Sequence, residues 1–250
     1  MENKLQFLAE FQSLLKNYRI SSNNLAILRQ AKLVLLVGPT SSGRNTIIEE
    51  LVKSGDYYHI VSDTTRAQRL KNGRPIEQNG REYWFRGEAE VLADLRAGQY
   101  MEAAIIHAQQ VSGCNIRELE LANRAGQISI KDIDPQGAAT IKAAKKDTII
   151  IFVLPPSYDE WLHRMRGRGQ ISSAELKRRL DSARQELAAA LASDYYQFII
   201  NSSLTQAVRQ VAAIAAAGRQ QPSMQSAGRQ LAQDLQQTLQ TIKRSEIKLS

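Results

Sequence analysis

Cysteine is nearly missing from this sequence: Cys114 is the only one among 250 residues. That excludes an internal disulfide framework and any zinc site built from several cysteines. Long apolar runs are missing too, since no stretch approaches the roughly 18 residues needed to cross a bilayer. The first residues, MENKLQFLAEF, carry neither the charged start and continuous apolar stretch nor the small-residue cleavage site of a secretory signal. The expectation from these absences is a cytoplasmic protein with no membrane partner. Aromatic residues make up only 6%, and no basic stripe is interleaved with them in the manner of a single-strand nucleic-acid surface. Nucleic acid therefore ranks last among partners. No internal repeat is found. What the chain does have is the make-up of an ordinary globule, 43% hydrophobic and 23% charged, with a net charge of +8. The excess suits polyanionic partners such as nucleotides, although the same charge also serves plain solubility. The length allows one sizeable domain with short appendages.

Hydrophobic spacing organises the chain. Leu5, Leu8, Phe11 and Leu15 form one helical stripe in residues 3–19, and SSNN at 21–24 offers caps for a second short helix. KLVLLVG, 32–38, is a continuous apolar run of the kind a buried parallel strand needs, and TIIEELVKSG, 46–55, follows with helical spacing. QISIKDID and DTIIIFVL, 127–134 and 147–154, flank a helical stretch and make a βαβ unit. PPSYDEWLHRMRGRG starts a helix on its prolines, Ser172 and Glu175 form a capping box for a long helix, YYQFIIN is a last strand, and 205–217 a last core helix. This alternation predicts an α/β fold with a doubly wound parallel sheet. Residues 57–113 break the rhythm and read as a small inserted mixed-β subdomain. The tail, 218–250, is glutamine-rich, with Leu231, Leu235, Leu239 and Ile242 in helical register. It reads as a helix docked on the body or on a partner.

One motif carries chemistry. Residues 38–46, GPTSSGRNT, open and close their glycines at the spacing of a phosphate-binding P-loop, between a predicted strand and a predicted helix. Arg44 stands where that motif has lysine, and Asn45 where it has serine or threonine.

The order GPTSSGRNT, VSDTTRAQR, EQNGREYWF, GQYMEAA, KDIDPQG, IFVLPPS, RGRG, RRLDSARQEL and FIIN resembles the guanylate kinase family, over roughly residues 33–215. The resemblance implies a P-loop NTPase core within 31–217, a GMP-binding subdomain at 62–113 and a lid at 164–180, with a helical appendage at 1–30 and the glutamine-rich helix at 218–250. It implies transfer of the γ-phosphoryl of ATP to GMP with Mg²⁺. Ser62, Glu102 and Asp134 match residues that bind guanine, and Arg66, Arg69 and Tyr83 match ligands of the GMP phosphate. Gly38, Ser41, Ser42, Gly43, Arg44, Asn45 and Thr46 match the loop around the ATP phosphates. Asn201 matches an asparagine near adenine, Arg164, Arg168 and Arg179 match lid arginines, and Asp132, through water, and Asn45 match metal positions.

Elementary chemistry suits these residue types. Two arginines three apart after a Thr-Thr turn can meet one phosphate with planar forks. A carboxylate such as Glu102 accepts from the two donors on guanine's edge, which adenine lacks. Without the surrounding segments each has a plainer reading: Arg66 and Arg69 as a solvated pair, Glu102 as a surface glutamate, Asp132 and Asp134 as a strand end and a turn. His107 and Cys114 receive no role.

The sequence departs from the family in several places. Arg44 keeps the loop's charge but is wider and planar, and Asn45 offers an amide oxygen in place of a hydroxyl. Ser41 replaces a glycine and is strained if that position needs a positive φ. The family's second phosphate-binding tyrosine aligns with Val111 and a base-contacting serine with Gly113, while LKNGRPIE, 70–77, is about five residues longer than the usual connection. The reading favoured is a phosphotransferase with Arg44 in the lysine's place. The alternative is a catalytically impaired binding or scaffold module that recognises a nucleotide or a phosphorylated partner.

Overall fold

The structure, a computed structural model, describes residues 5–167 and 171–241. Along the chain run α1 (Leu8–Lys16), α2 (Ser22–Gln30), β1 (Leu33–Val37), α3 (Arg44–Val52), β2 (Tyr57–His59), β3 (Asp63–Thr64), β4 (Leu70–Lys71), β5 (Arg74–Pro75) and β6 (Trp84–Phe85). Then come α4 (Glu88–Arg96), β7 (Tyr100–Ile106), β8 (Gln110–Asn115), α5 (Arg117–Arg124), β9 (Ile128–Asp132), α6 (Pro135–Ala144) and β10 (Ile149–Leu154). The last are α7 (Tyr158–Arg166), α8 (Ser173–Leu191), β11 (Tyr196–Ile200), α9 (Leu204–Ala217) and α10 (Pro222–Thr241). The caps are those their residue types favour: the Ser21, Ser157 and Ser172 hydroxyls accept from Asn24, Glu160 and Glu175 amides, closing the first turns of α2, α7 and α8. No helix among the described residues is long and apolar enough to cross a membrane.

The described residues fall into two compact units. The first comprises 5–32, 57–129 and 139–146. Its sheet is mixed, in the order β6-β3-β8-β7, with β3 parallel to β6 and antiparallel to β8. One face packs Tyr100 and Val111 against Phe11, Val91, Leu92 and Leu95 of α1 and α4. Phe11 is wholly buried there, which is why the apolar stripe of the first helix needs a partner surface. Glu88 accepts the Gln6 and Phe7 amides that open α1. The inserted residues form a small hairpin, β4 paired with β5.

The second unit comprises 33–56, 130–138 and the described residues from 147 on. Its strands β10 and β11, and β1 and β10, pair in parallel, within the order β11-β10-β1-β9. Every residue of β1 is buried, as a strand covered on both faces requires. The edge strand β11 is covered by α10. Gly228 lets the helix approach, since a Cβ there would lie 2.6 Å from the Cβ of Phe198. The Gln225 amide then pairs with the strand like a neighbouring peptide group, accepting from Phe198 N at 2.9 Å and donating to Tyr196 O at 2.8 Å.

Candidate active site

The phosphate loop is shaped by two glycines and two struts in the second unit. Gly38 has φ +140°, and a Cβ there would lie 2.4 Å from the Val153 carbonyl oxygen. Gly43 has φ +99°, and a Cβ would lie 2.2 Å from Asn201 Nδ2. Between them the indole N–H of Trp161 donates to the Thr40 carbonyl, and the Asn201 amide donates to the Ser42 carbonyl, each at 2.8 Å. A trans peptide points its C=O and N–H in opposite directions. Tying back these two carbonyls therefore turns the Ser41 and Gly43 N–H groups the other way, the arrangement an anion cradle needs. Ser41 has φ +67°, so the serine occupies the left-handed region that a glycine would take without strain.

Around the loop, α3 begins at Arg44, a half-buried side chain whose Nη1 lies 3.4 Å from the Ile133 carbonyl oxygen. Asn45 and Thr46 are exposed on the first turn. Asn201 is buried as the strut just described. Asp132 is half-buried at the end of β9, and Asp134 is exposed, its Oδ1 accepting the Gln136 and Gly137 amides that open α6. Arg164 bonds Glu160 at 2.8 Å and the Asn201 carbonyl at 3.0 Å, and Arg179 bonds Glu175 at 2.8 Å. Arg168 lies outside the described residues. On α8, burial pushes the Glu186 carboxyl above its usual range, with the charge of Arg44 opposing the shift.

The acceptor-type residues lie in the first unit, on the mixed sheet. Glu102 stands opposite Cys114 in the β7–β8 pairing, and the Cys114 thiol lies 3.8 Å from the Ser62 hydroxyl. Beyond β3, the Arg66 guanidinium sits 5.0 Å from the Tyr83 ring centre and 5.4 Å from that of Phe85. It also forks onto Glu77, Nη1 at 2.7 Å and Nη2 at 2.5 Å. Arg69 is exposed, its backbone N–H donating to Glu77 at 2.8 Å. The structure thus brings Ser62, Cys114 and Glu102 together, and Arg66 with Tyr83.

A family model described as guanylate kinase matches residues 30–217. The chain belongs to the guanylate kinase family. It is 36% identical to a guanylate kinase of Bifidobacterium longum over 181 residues, 70% of this chain and 89% of that one. Against a guanylate kinase of Thermotoga maritima it is 33% identical over 186 residues, 74% of this chain and 86% of the relative. Its fold is similar to the crystal structure of guanylate kinase from Anaplasma phagocytophilum, with a TM-score of 0.55 at 25% identity, covering 77% of this chain and 88% of that one.

For this member of the guanylate kinase family the structure amends one detail of register. Val111 and Gly113 share a strand face that packs inward. Val111 is 1% exposed, against the N-terminal helix, and a Cβ on Gly113 would lie 2.7 Å from that of Ala103. The opposite face presents Ser112, bonded to Thr64 at 3.1 Å, and Cys114 beside Ser62. The residues facing Ser62 and Thr64 from β8 are therefore Ser112 and Cys114, because side chains alternate along a strand. A bulge between Tyr100 and Glu102 explains how β7 serves both faces. The extra residue lets Tyr100 point into the core while Glu102, two positions on, points the other way.

Sequence reasoning also missed the support beneath this sheet. Asp63, 1% exposed, binds Arg117 through both carboxylate oxygens and takes the Tyr100 hydroxyl at 2.6 Å. Burial and the Asp63 charge push the Tyr100 hydroxyl far above its ordinary range. Glu118, wholly buried, accepts Val61 N at 2.9 Å and the Trp84 indole at 3.0 Å. Each is a single charge in a polar stretch of sequence, and only the fold shows that it is interior.

Proposed function

We propose that this chain transfers the γ-phosphoryl group of ATP to GMP, giving ADP and GDP. The observation that carries the reading is the tied-back loop at 38–44. Thr40 and Ser42 carbonyls are each held by a dedicated side chain, and a passive scaffold has no use for a cradle kept in that state. It supports the enzyme reading over the binding-module one despite Arg44 and Asn45.

In this reading the loop amides and Arg44 hold the β- and γ-phosphates. Glu102, Ser62 and Asp134 read the guanine, Asp134 with the oxygen left over from capping α6. Arg66, Arg69 and Tyr83 hold the acceptor phosphate, whose oxygen attacks the γ-phosphorus in line. Arg164 and Arg179, with Arg168, balance the charge that spreads over the transferring group, and water is kept out to prevent hydrolysis.

Among the described residues no group of three His, Cys, Asp or Glu side chains gathers to cage a metal. The oxygen donors Asn45 and Asp132 suit a Mg²⁺ held mostly by substrate phosphates and water. When bound, such an ion would neutralise the β- and γ-oxygens. We place the reaction in the cytoplasm.

A coupled assay of ADP release with GMP, ATP and Mg²⁺ tests the reading. Turnover that depends on both nucleotides is expected; background-level turnover at high protein concentration rules it out.

A further inference from the structure

We propose that Glu77, at the neck of the inserted hairpin, positions the arginine that receives the acceptor phosphate. The inference rests on the acceptor site of the proposed function and adds a residue to it. A guanidinium has five N–H donors in two outward forks and one remaining N–H. Glu77 occupies the end-on fork of Arg66, Nη1 and Nη2, and the Ala67 carbonyl takes the other N–H of Nη1 at 2.9 Å. The side-on fork, Nε with the second N–H of Nη2, is the one left to face Tyr83, which also hydrogen-bonds the guanidinium, and a phosphate held between the two.

Glu77 is itself held. Its side chain also accepts the Arg69 amide, its carbonyl accepts Gln68 Nε2 at 3.0 Å, and the next residue back, Ile76, donates to the Arg69 carbonyl at 3.0 Å. Its side chain is only 9% exposed. The hydrogen bond from Arg66, the largest cause, lowers its pKa to about 2, so it is ionised at neutral pH. The carboxylate therefore fixes the direction of Arg66 and the backbone of Arg69 together. It also leaves the pair of arginines with one net positive charge instead of two.

The test compares wild-type protein with Glu77→Gln, in binding to GMP and to guanosine, which lacks the phosphate. Gln keeps the size but sets an amide N–H₂ against one arm of the fork. GMP affinity is expected to fall about tenfold, with guanosine and ATP affinities unchanged and the loss seen in KM for GMP more than in kcat. Equal losses for GMP and guanosine would mean a merely structural role, and unchanged or tighter GMP binding would mean no positioning role; either overturns the proposal. Glu77→Asp, which keeps the charge but draws the carboxylate back, is expected to fall between the two and serves if the Gln variant fails to fold. Wild-type protein that binds no GMP removes the acceptor site itself, an outcome distinct from wild-type binding with an indifferent variant.

Discussion

Ser41 shows how much a single backbone angle reveals. A left-handed φ costs an L-residue roughly 1–2 kcal/mol, part of which glycine returns through its freer unfolded chain. Ser41→Gly is therefore expected to stabilise the protein by about 0.5–1 kcal/mol, read as a higher urea midpoint; no gain would mean that the left-handed angle costs serine nothing at this position. Arg44 is the second informative residue. Its head lies near the Ile133 carbonyl, whereas the lysine of the motif follows charge into the transition state. If the wider group misplaces the γ-phosphoryl by about an ångström, the cost reaches on the order of 100-fold in rate. Arg44→Lys is thus expected to raise kcat. A fall in kcat would show that the loop has been reshaped around arginine. The spacing of the loop was legible in the sequence, and so was the strain at Ser41, stated there as a condition. The struts Asn201 and Trp161 were not, because each acts across more than a hundred residues of chain.

The segments appended at both ends do a comparable job by different means, the first from the connection between α1 and α2 and the last from α10. In the first unit the Tyr18 hydroxyl accepts from Tyr100 N at 2.7 Å and donates to Tyr100 O at 2.8 Å, filling the bonding places of the edge strand β7. Burial raises this hydroxyl's pKa to about 12, so it keeps the proton it donates. In the second unit Gln225 does the same for β11. An open edge invites pairing with other chains, and covering it is a common remedy. Gln225→Ala strips two bonds from half-buried backbone and is expected to cost about 2 kcal/mol in urea unfolding; a change below a few tenths would mean that water replaces the amide. The sequence marked the C-terminal helix by its leucines. It did not single out Gln225, since nothing local distinguishes a side chain aimed at a strand from one aimed at solvent.

Across the whole molecule, the residues assigned to GMP lie mainly in the first unit and those assigned to ATP in the second, and each unit is assembled from separated stretches of chain. A ligand at about 100 times its Kd adds about 2.7 kcal/mol to what it binds. GMP is therefore expected to slow amide exchange chiefly in 57–129, and an ATP analogue chiefly in 33–56. Protection by GMP confined to 33–56 would place the acceptor wrongly.

By itself the sequence determined the strand-loop-helix of the phosphate loop, the alternation that makes the parallel sheet, and the family, because these rest on local spacing and on motifs in order. Only the tertiary structure decided which face of β8 meets Ser62, that a bulge turns Glu102 away from the core, and that Glu77 holds Arg66. Such facts depend on pairing between distant strands and on charges closing across a loop, and a one-residue shift that leaves the sequence pattern intact reverses the direction of a side chain.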